Sequence, residues 1–164
     1  MKSLLIFRHA KSAWDDPTLD DHDRPLNNRG LKTAPAMGRF LKSQGLLPDK
    51  IITSSALRAR KTAELFAEQC GYSQEIEIRS EIYNADTQEI IKLLNRYGGS
   101  EDRVMVVGHN PTLEELTRSL TGRLERLPTG TIVHVELPVE NWSEFNIKTK
   151  GRLLNIWRPK ELFS

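Results

Sequence analysis

Three short apolar runs decide what this chain can fold into. Leu4-Leu5-Ile6-Phe7, Ile51-Ile52-Thr53 and Val104-Met105-Val106-Val107 are each too short for a helix, rich in branched apolar side chains, and bounded by polar residues. Uninterrupted runs of this kind suit strands buried on both faces. Between them the apolar spacing becomes helical. Leu31, Ala34, Met37, Phe40 and Leu41 mark one helix within residues 30–41, and Ala59, Ala63, Leu65, Phe66 and Ala67 mark the next. Asp86 with Glu89 predicts a capped third helix ending near Gly98-Gly99. Pro111 suits the first position of a fourth, whose stripe of Leu113, Leu116, Thr117 and Leu120 runs to Gly122. Toward the carboxyl end, Ile132, Val133, Val135 and Leu137, then Phe145, Ile147, Leu153, Leu154 and Ile156, read as strands joined by polar turns. Antiparallel pairing at the sheet edge is expected for them. The order predicts an α/β fold: a three-layer α/β/α domain with a mostly parallel central sheet, spanning residues 1–164.

Size and charge narrow the function. A chain of 164 residues fits one domain that buries about two thirds of its unfolded surface. Twenty-four basic residues against 22 acidic ones leave a formal charge of +2. That balance does not suit a partner such as nucleic acid or an anionic membrane, so any anion site must be local. The single Cys70 excludes an internal disulfide framework. The first apolar run stops at Phe7, far short of a membrane span, and charge follows it where a leader would carry a small-residue cleavage site. A cytoplasmic protein used as written is the expectation.

In parallel sheets, ligands bind beyond the carboxyl ends of the strands. Arg8-His9, the segment Ser54 to Arg58, and Gly108-His109 each follow a strand, so they should meet at one rim. Two imidazoles and several guanidiniums repel one another unless an anion joins them. Phosphate fits best, because the planar guanidinium fork matches its oxygens two at a time. Each cluster also has a plainer reading. His9 could merely donate a ring N–H to a carbonyl, Ser54 and Ser55 could cap the next helix, and Arg58 could be a solvated charge like Arg60 and Lys61. Against the last, a cation in the first turn opposes the helix dipole by up to about 1 kcal/mol, which an anion would relieve. Gly108-His109-Asn110-Pro111 could simply turn the chain, and Arg24 to Gly30 could be a turn with exposed charge, Arg29 more so than Arg24. Asp15, Asp16, Asp20, Asp21 and Asp23 read as a solvated loop over the pocket. Without histidine-rich or calcium-loop spacing they imply no metal.

These residues resemble the histidine phosphatase superfamily, the phosphoglycerate mutase-like group, and within it the small SixA-type phosphohistidine phosphatases. Arg8-His9-Ala10 resembles the Arg-His-Gly signature in an alanine variant. Arg24-Pro25-Leu26-Asn27 resembles the Arg-Pro-Leu-Thr segment before the first helix. Ser54, Leu57-Arg58-Ala59 and Thr62 resemble the second phosphate-arginine motif, with Ser55 where proline is common, and Gly108-His109-Asn110-Pro111 resembles the second-histidine motif. The resemblance implies a phosphoglycerate mutase-like fold, His9 as nucleophile, Arg8, Arg24 and Arg58 as phosphate ligands, His109 completing the pocket, and no cofactor. It also places Thr129-Gly130-Thr131 near the site. Alkyl esters need a general acid. The matching region is Arg79-Ser80-Glu81-Ile82-Tyr83-Asn84, where Glu81 is the candidate, although the family's longer acid motif is absent. The leading expectation is therefore removal of phosphate from phosphohistidine on a partner protein of phosphorelay or phosphotransferase type. The alternatives are a small-molecule phosphomonoesterase using Glu81, and a phosphate-binding module without turnover. Trp14, in the loop after His9, either contacts substrate or packs.

Overall fold

The computed structural model describes residues 1–163. Its strands are β1 (Lys2–Arg8), β2 (Lys50–Ser54), β3 (Glu77–Arg79), β4 (Arg103–Gly108), β5 (Ile132–Leu137) and β6 (Arg152–Trp157). Its helices are α1 (Asn28–Ser43), α2 (Leu57–Cys70), α3 (Thr87–Tyr97), α4 (Thr112–Thr121) and α5 (Pro159–Phe163). The strands form one sheet in the order β3-β2-β4-β1-β5-β6. β1 to β4 run parallel, while β5 pairs antiparallel with β1, and β6 antiparallel with β5.

Strand alternation sorts the core into two layers. Leu4, Ile6, Ile52, Val104, Val106, Val133 and Val135 pack toward α3 and α4. Leu5, Phe7, Ile51, Met105, Val107 and Ile132 pack toward α1 and α2, where Phe7 meets the Phe66 ring edge-on at 5.3 Å. Both faces are covered, which is why these runs show no polar alternation. Each such side chain contributes about 1.5–3 kcal/mol by burial. The register then levels the strand ends, because Arg8 stands opposite Gly108 and Thr53 opposite Val107.

Local chemistry sets several boundaries. The Asp86 carboxylate accepts from Glu89 N–H at 2.8 Å and the Glu89 carboxylate accepts from Asp86 N–H at 3.2 Å, the reciprocal cap expected for α3. Pro111 is the residue before α4, one position earlier than its expected place inside the helix. Phe145 and Ile147 are not in a strand. Phe145 is buried behind a 3₁₀ turn at Trp142–Glu144, and Ile147 lies exposed in the next turn. The Asn146 side chain accepts from Lys148 N–H, and the Thr149 hydroxyl accepts from Asn146 N–H, so polar side chains satisfy the backbone locally and no ladder forms. β3 and α5 were not expected. β3 has only three residues with Ile78 half exposed, and it leaves no apolar run to read. Among the described residues, no helix is long and apolar enough to cross a membrane.

Candidate active site

One cleft of about 990 Å³ opens at the carboxyl ends of β1, β2 and β4, and Arg8, His9, Arg24, Arg58 and His109 all line it. The sheet fixes its floor. His9 N–H donates to the Gly108 carbonyl at 3.1 Å and Arg8 N–H to the Thr131 carbonyl at 3.0 Å. Gly130, at φ +82°, donates its N–H to the carbonyls of both Arg8 and His9, a left-handed conformation that a side chain would strain. Gly130 and Thr131 thus brace the floor, and Thr129 lines the cleft.

The His9 ring is buried, and its Nδ1 lies 2.7 Å from the Ala10 carbonyl. A carbonyl only accepts, so Nδ1 carries the proton and the Nε2 lone pair is left facing the cleft. Arg58 Nε points its N–H at that lone pair from 3.4 Å. Burial above all, then the neighbouring His109 and the guanidiniums of Arg58 and Arg8, push the His9 pKa down to about 3. The His109 ring centroid is 5.2 Å from that of His9. Its Nε2 shares a 2.8 Å hydrogen bond with the Ser54 hydroxyl, while its Nδ1 is buried without a partner. Burial and Arg58 lower its pKa to about 4. Ser54 therefore orients His109. Neither Ser54 nor Ser55 caps α2, whose preceding residue is Ala56. Ser55 instead pairs with the His22 ring at 2.8 Å.

The second wall is a loop. Asn27 N–H donates to the Lys11 carbonyl and Ala13 N–H to the Pro25 carbonyl, which folds the segment after β1 back against the start of α1. Gly30 is required for this approach, since a Cβ there would stand 2.2 Å from the Lys11 carbonyl oxygen. Arg24 is thereby buried, its Nε donating to the Ala13 carbonyl and its Nη2 to the Ser12 hydroxyl. Its exposed-turn alternative is overturned, whereas Arg29 is exposed at the rim.

Asp21 differs most from expectation. Its carboxylate accepts from Arg24 Nη1 at 2.7 Å, Arg58 Nη2 at 3.0 Å and the Tyr83 hydroxyl at 2.5 Å, and its carbonyl accepts from Arg58 Nη1 at 2.7 Å. The Tyr83 hydrogen bond first, then those of Arg24 and Arg58, hold this carboxyl well below the usual carboxylate range. It supplies the anion that offsets Arg58 at the start of α2. Five aspartates in one loop hid it, because spacing does not say which of them turns inward. Glu81 is not brought to this group. It is exposed in the 3₁₀ turn after β3 and does not line the cleft. Among the described residues no cluster of three or more histidine, cysteine or carboxylate side chains is arranged to hold a metal ion.

Comparison with known proteins bears on the family and the fold. A family model described as the histidine phosphatase superfamily (branch 1) matches residues 4–89. An uncharacterized chloroplastic protein of Arabidopsis thaliana is 28% identical over 152 residues, covering 87% of this chain and 70% of its own length. The crystal structure of an Agrobacterium tumefaciens protein described as a candidate phosphohistidine phosphatase SixA superposes with a TM-score of 0.82 at 26% identity, covering 96% of this chain and 98% of that one. The protein histidine phosphatase SixA complexed with tungstate shares the fold at a TM-score of 0.83 and 24% identity, covering 98% of this chain and 99% of that one. The chain belongs to the histidine phosphatase superfamily, branch 1.

Proposed function

We propose that this phosphatase takes a phosphoryl group onto His9 Nε2 and that its substrate is phosphohistidine on a partner protein. The observation that carries the reading is the unprotonated Nε2 of a neutral, buried imidazole, which faces the cleft with only a long 3.4 Å contact from Arg58 Nε. In the first step that lone pair attacks phosphorus, the bond from phosphorus to the substrate nitrogen breaks, and its electron pair stays with the departing imidazole. Positive charge on the His9 ring is met by the Ala10 carbonyl at Nδ1. Arg8, Arg24, Arg58 and His109 hold the phosphoryl oxygens as their charge redistributes. In the second step water attacks phosphorus, the bond to Nε2 breaks, inorganic phosphate leaves and the water's proton passes to solvent.

The leaving group argues for the substrate. An alkoxide needs a proton donor, while an imidazole protonated on its far nitrogen departs neutral. The carboxylates lining the cleft are poorly suited to donate. Asp21 is held ionised by Tyr83 and two arginines, and Glu125 and Glu161 pair with Arg158 at 3.1 and 3.7 Å. Glu81 lies outside. No metal or other cofactor enters the scheme, and a cytoplasmic setting suits such a substrate. The test is decay of phosphohistidine on a phosphotransfer domain, together with trapping of an acid-labile phosphoenzyme. Rapid decay and a trapped species absent from His9→Ala are expected. Hydrolysis of small esters alone, with Glu81→Gln slowing the poorest leaving groups most, would mean a phosphomonoesterase. Phosphate binding without a trapped species or turnover would mean a binding module.

A further inference from the structure

The cleft is far larger than a phosphate requires, and its rim carries groups that the chemistry does not use. The two most exposed large apolar side chains among the described residues are Leu124, at 79%, and Trp14, at 77%, and both line this cleft. They lie on different loops, Trp14 after β1 and Leu124 between α4 and β5. Three exposed cations stand on the same rim: Lys11, Arg29 and Arg126. None of their charged groups pairs with another described residue. The rim carboxylates Glu125 and Glu161 are already taken up by Arg158. Among the charges that line the cleft these three cations are therefore uncompensated, while the exposed Asp15, Asp16, Asp20 and Asp23 of the Trp14 loop lie outside its lining.

The Arg24 guanidinium also sits over the Trp14 ring, its Cζ 3.2 Å from the ring centroid. A surface covering the exposed Trp14 ring would hold that ring over the buried Arg24 guanidinium and so help to fix its position. Tryptophan and arginine are the side chains most often found as binding anchors, and rim charges of one sign steer an oppositely charged partner.

We propose that Trp14 and Leu124 are the apolar anchors, and Lys11, Arg29 and Arg126 the steering charges, of a docking surface for a folded protein with acidic residues around its phosphorylated histidine. This rests on the substrate reading above. It requires that the same leaving group be handled differently when it is presented free and when it is presented on a protein surface. The experiment compares kcat/KM for free phosphohistidine with that for an acidic phosphotransfer domain phosphorylated on histidine by phosphoramidate. The wild type is set beside the variants Arg29→Glu/Arg126→Glu and Leu124→Ser.

The double reversal is expected to lower kcat/KM on the protein at least tenfold and to flatten its fall with ionic strength. Leu124→Ser should lower it severalfold. Both variants should hydrolyse free phosphohistidine within twofold of wild type. If the wild type acts on the phosphorylated domain and the variants act equally well, the docking surface is refuted while the substrate reading stands. If the wild type acts on neither form of phosphohistidine, the substrate reading itself has failed. A third result, an unaltered rate on the protein with a raised KM for a bisphosphorylated small ester, would assign the rim cations to a small polyanion and also overturn the proposal.

Discussion

The two walls of the cleft are built differently, and the contrast separates placing the nucleophile from binding the phosphoryl group and its carrier. The wall of Arg8, His9, Ser54 and His109 hangs on strand ends whose register is fixed by a core buried on both faces. The facing wall of Trp14, Asp21 and Arg24 is a loop held by a few backbone hydrogen bonds, the crowded glycine at position 30 and one carboxylate. A nucleophile must be placed to within a fraction of an ångström, which sheet register supplies. A surface that meets a partner tolerates adjustment, which a loop supplies.

The sharpest way to break this contrast is to empty the rigid wall. His9→Ala should reduce turnover by about four orders of magnitude or more, since no other group reaches phosphorus as a nucleophile. His109→Ala should retain the phosphoenzyme yet lose about 10²- to 10³-fold in kcat, the cost of one fixed donor to the transferring group. Stopped-flow kinetics with an aryl phosphate reads both. Equal losses in the two variants would mean that His109 does more than hold oxygen.

A smaller effect is expected at the loop wall. Asp21→Asn keeps the size of the side chain but cannot bind two guanidiniums and a phenol as a carboxylate does. Arg24 and Arg58 keep their other partners in the Ala13 carbonyl, the Ser12 hydroxyl and the Asp21 carbonyl. The expected loss is about three- to tenfold in kcat/KM, carried mostly by KM, with roughly 1–2 kcal/mol of stability. Thermal unfolding and steady-state kinetics measure the two parts. A fall in kcat as deep as that of His109→Ala would place Asp21 in the chemistry and erase the distinction between the walls.

The same contrast explains what the sequence discloses. The rigid wall is legible because it is written twice, once as buried strands and once as Arg8-His9 and Gly108-His109 directly after them. The helix stripes and the Asp86 cap are legible for a similar reason: local pattern and tertiary role coincide. Asp21 is illegible among its four neighbouring aspartates, since what selects it is the approach of Arg24, Arg58 and Tyr83 from three separate segments. Phe145 and Ile147 mislead because apolar residues spaced through a polar turn imitate strand alternation, while Asn146 and Thr149 decide the backbone. His22 carries no readable signal at all. Only the fold brings its ring to Ser55 and to the Tyr83 edge at 4.8 Å.

The smallest expected effect is a near absence, and it tests the rigid wall without altering it. An imidazole with an ordinary pKa near 6.5 would be only about 3% neutral at pH 5, so a nucleophile of that kind would lose most of its reactivity between pH 7 and 5. His9, lowered to about 3, stays almost wholly neutral across that range. Once corrected for ionisation of the substrate, kcat/KM should change by less than about twofold. The same displacement works against stability in acid. Between pH 6.5 and the folded values of about 3 for His9 and 4 for His109, the unfolded chain binds more protons than the native one. Stability must therefore fall as the pH drops through this window. Asp21 contributes in the same direction only at lower pH, as its carboxylate is titrated and its hold on the arginines is lost. Urea unfolding at pH 7 and 5 should show the decline in wild type and a shallower one in His9→Gln, which has no ring to protonate. A steep acid limb in kcat/KM centred near 6.5 would mean that the cleft is wetter around His9 than its burial implies, and only the neutral fraction of the ring would then attack.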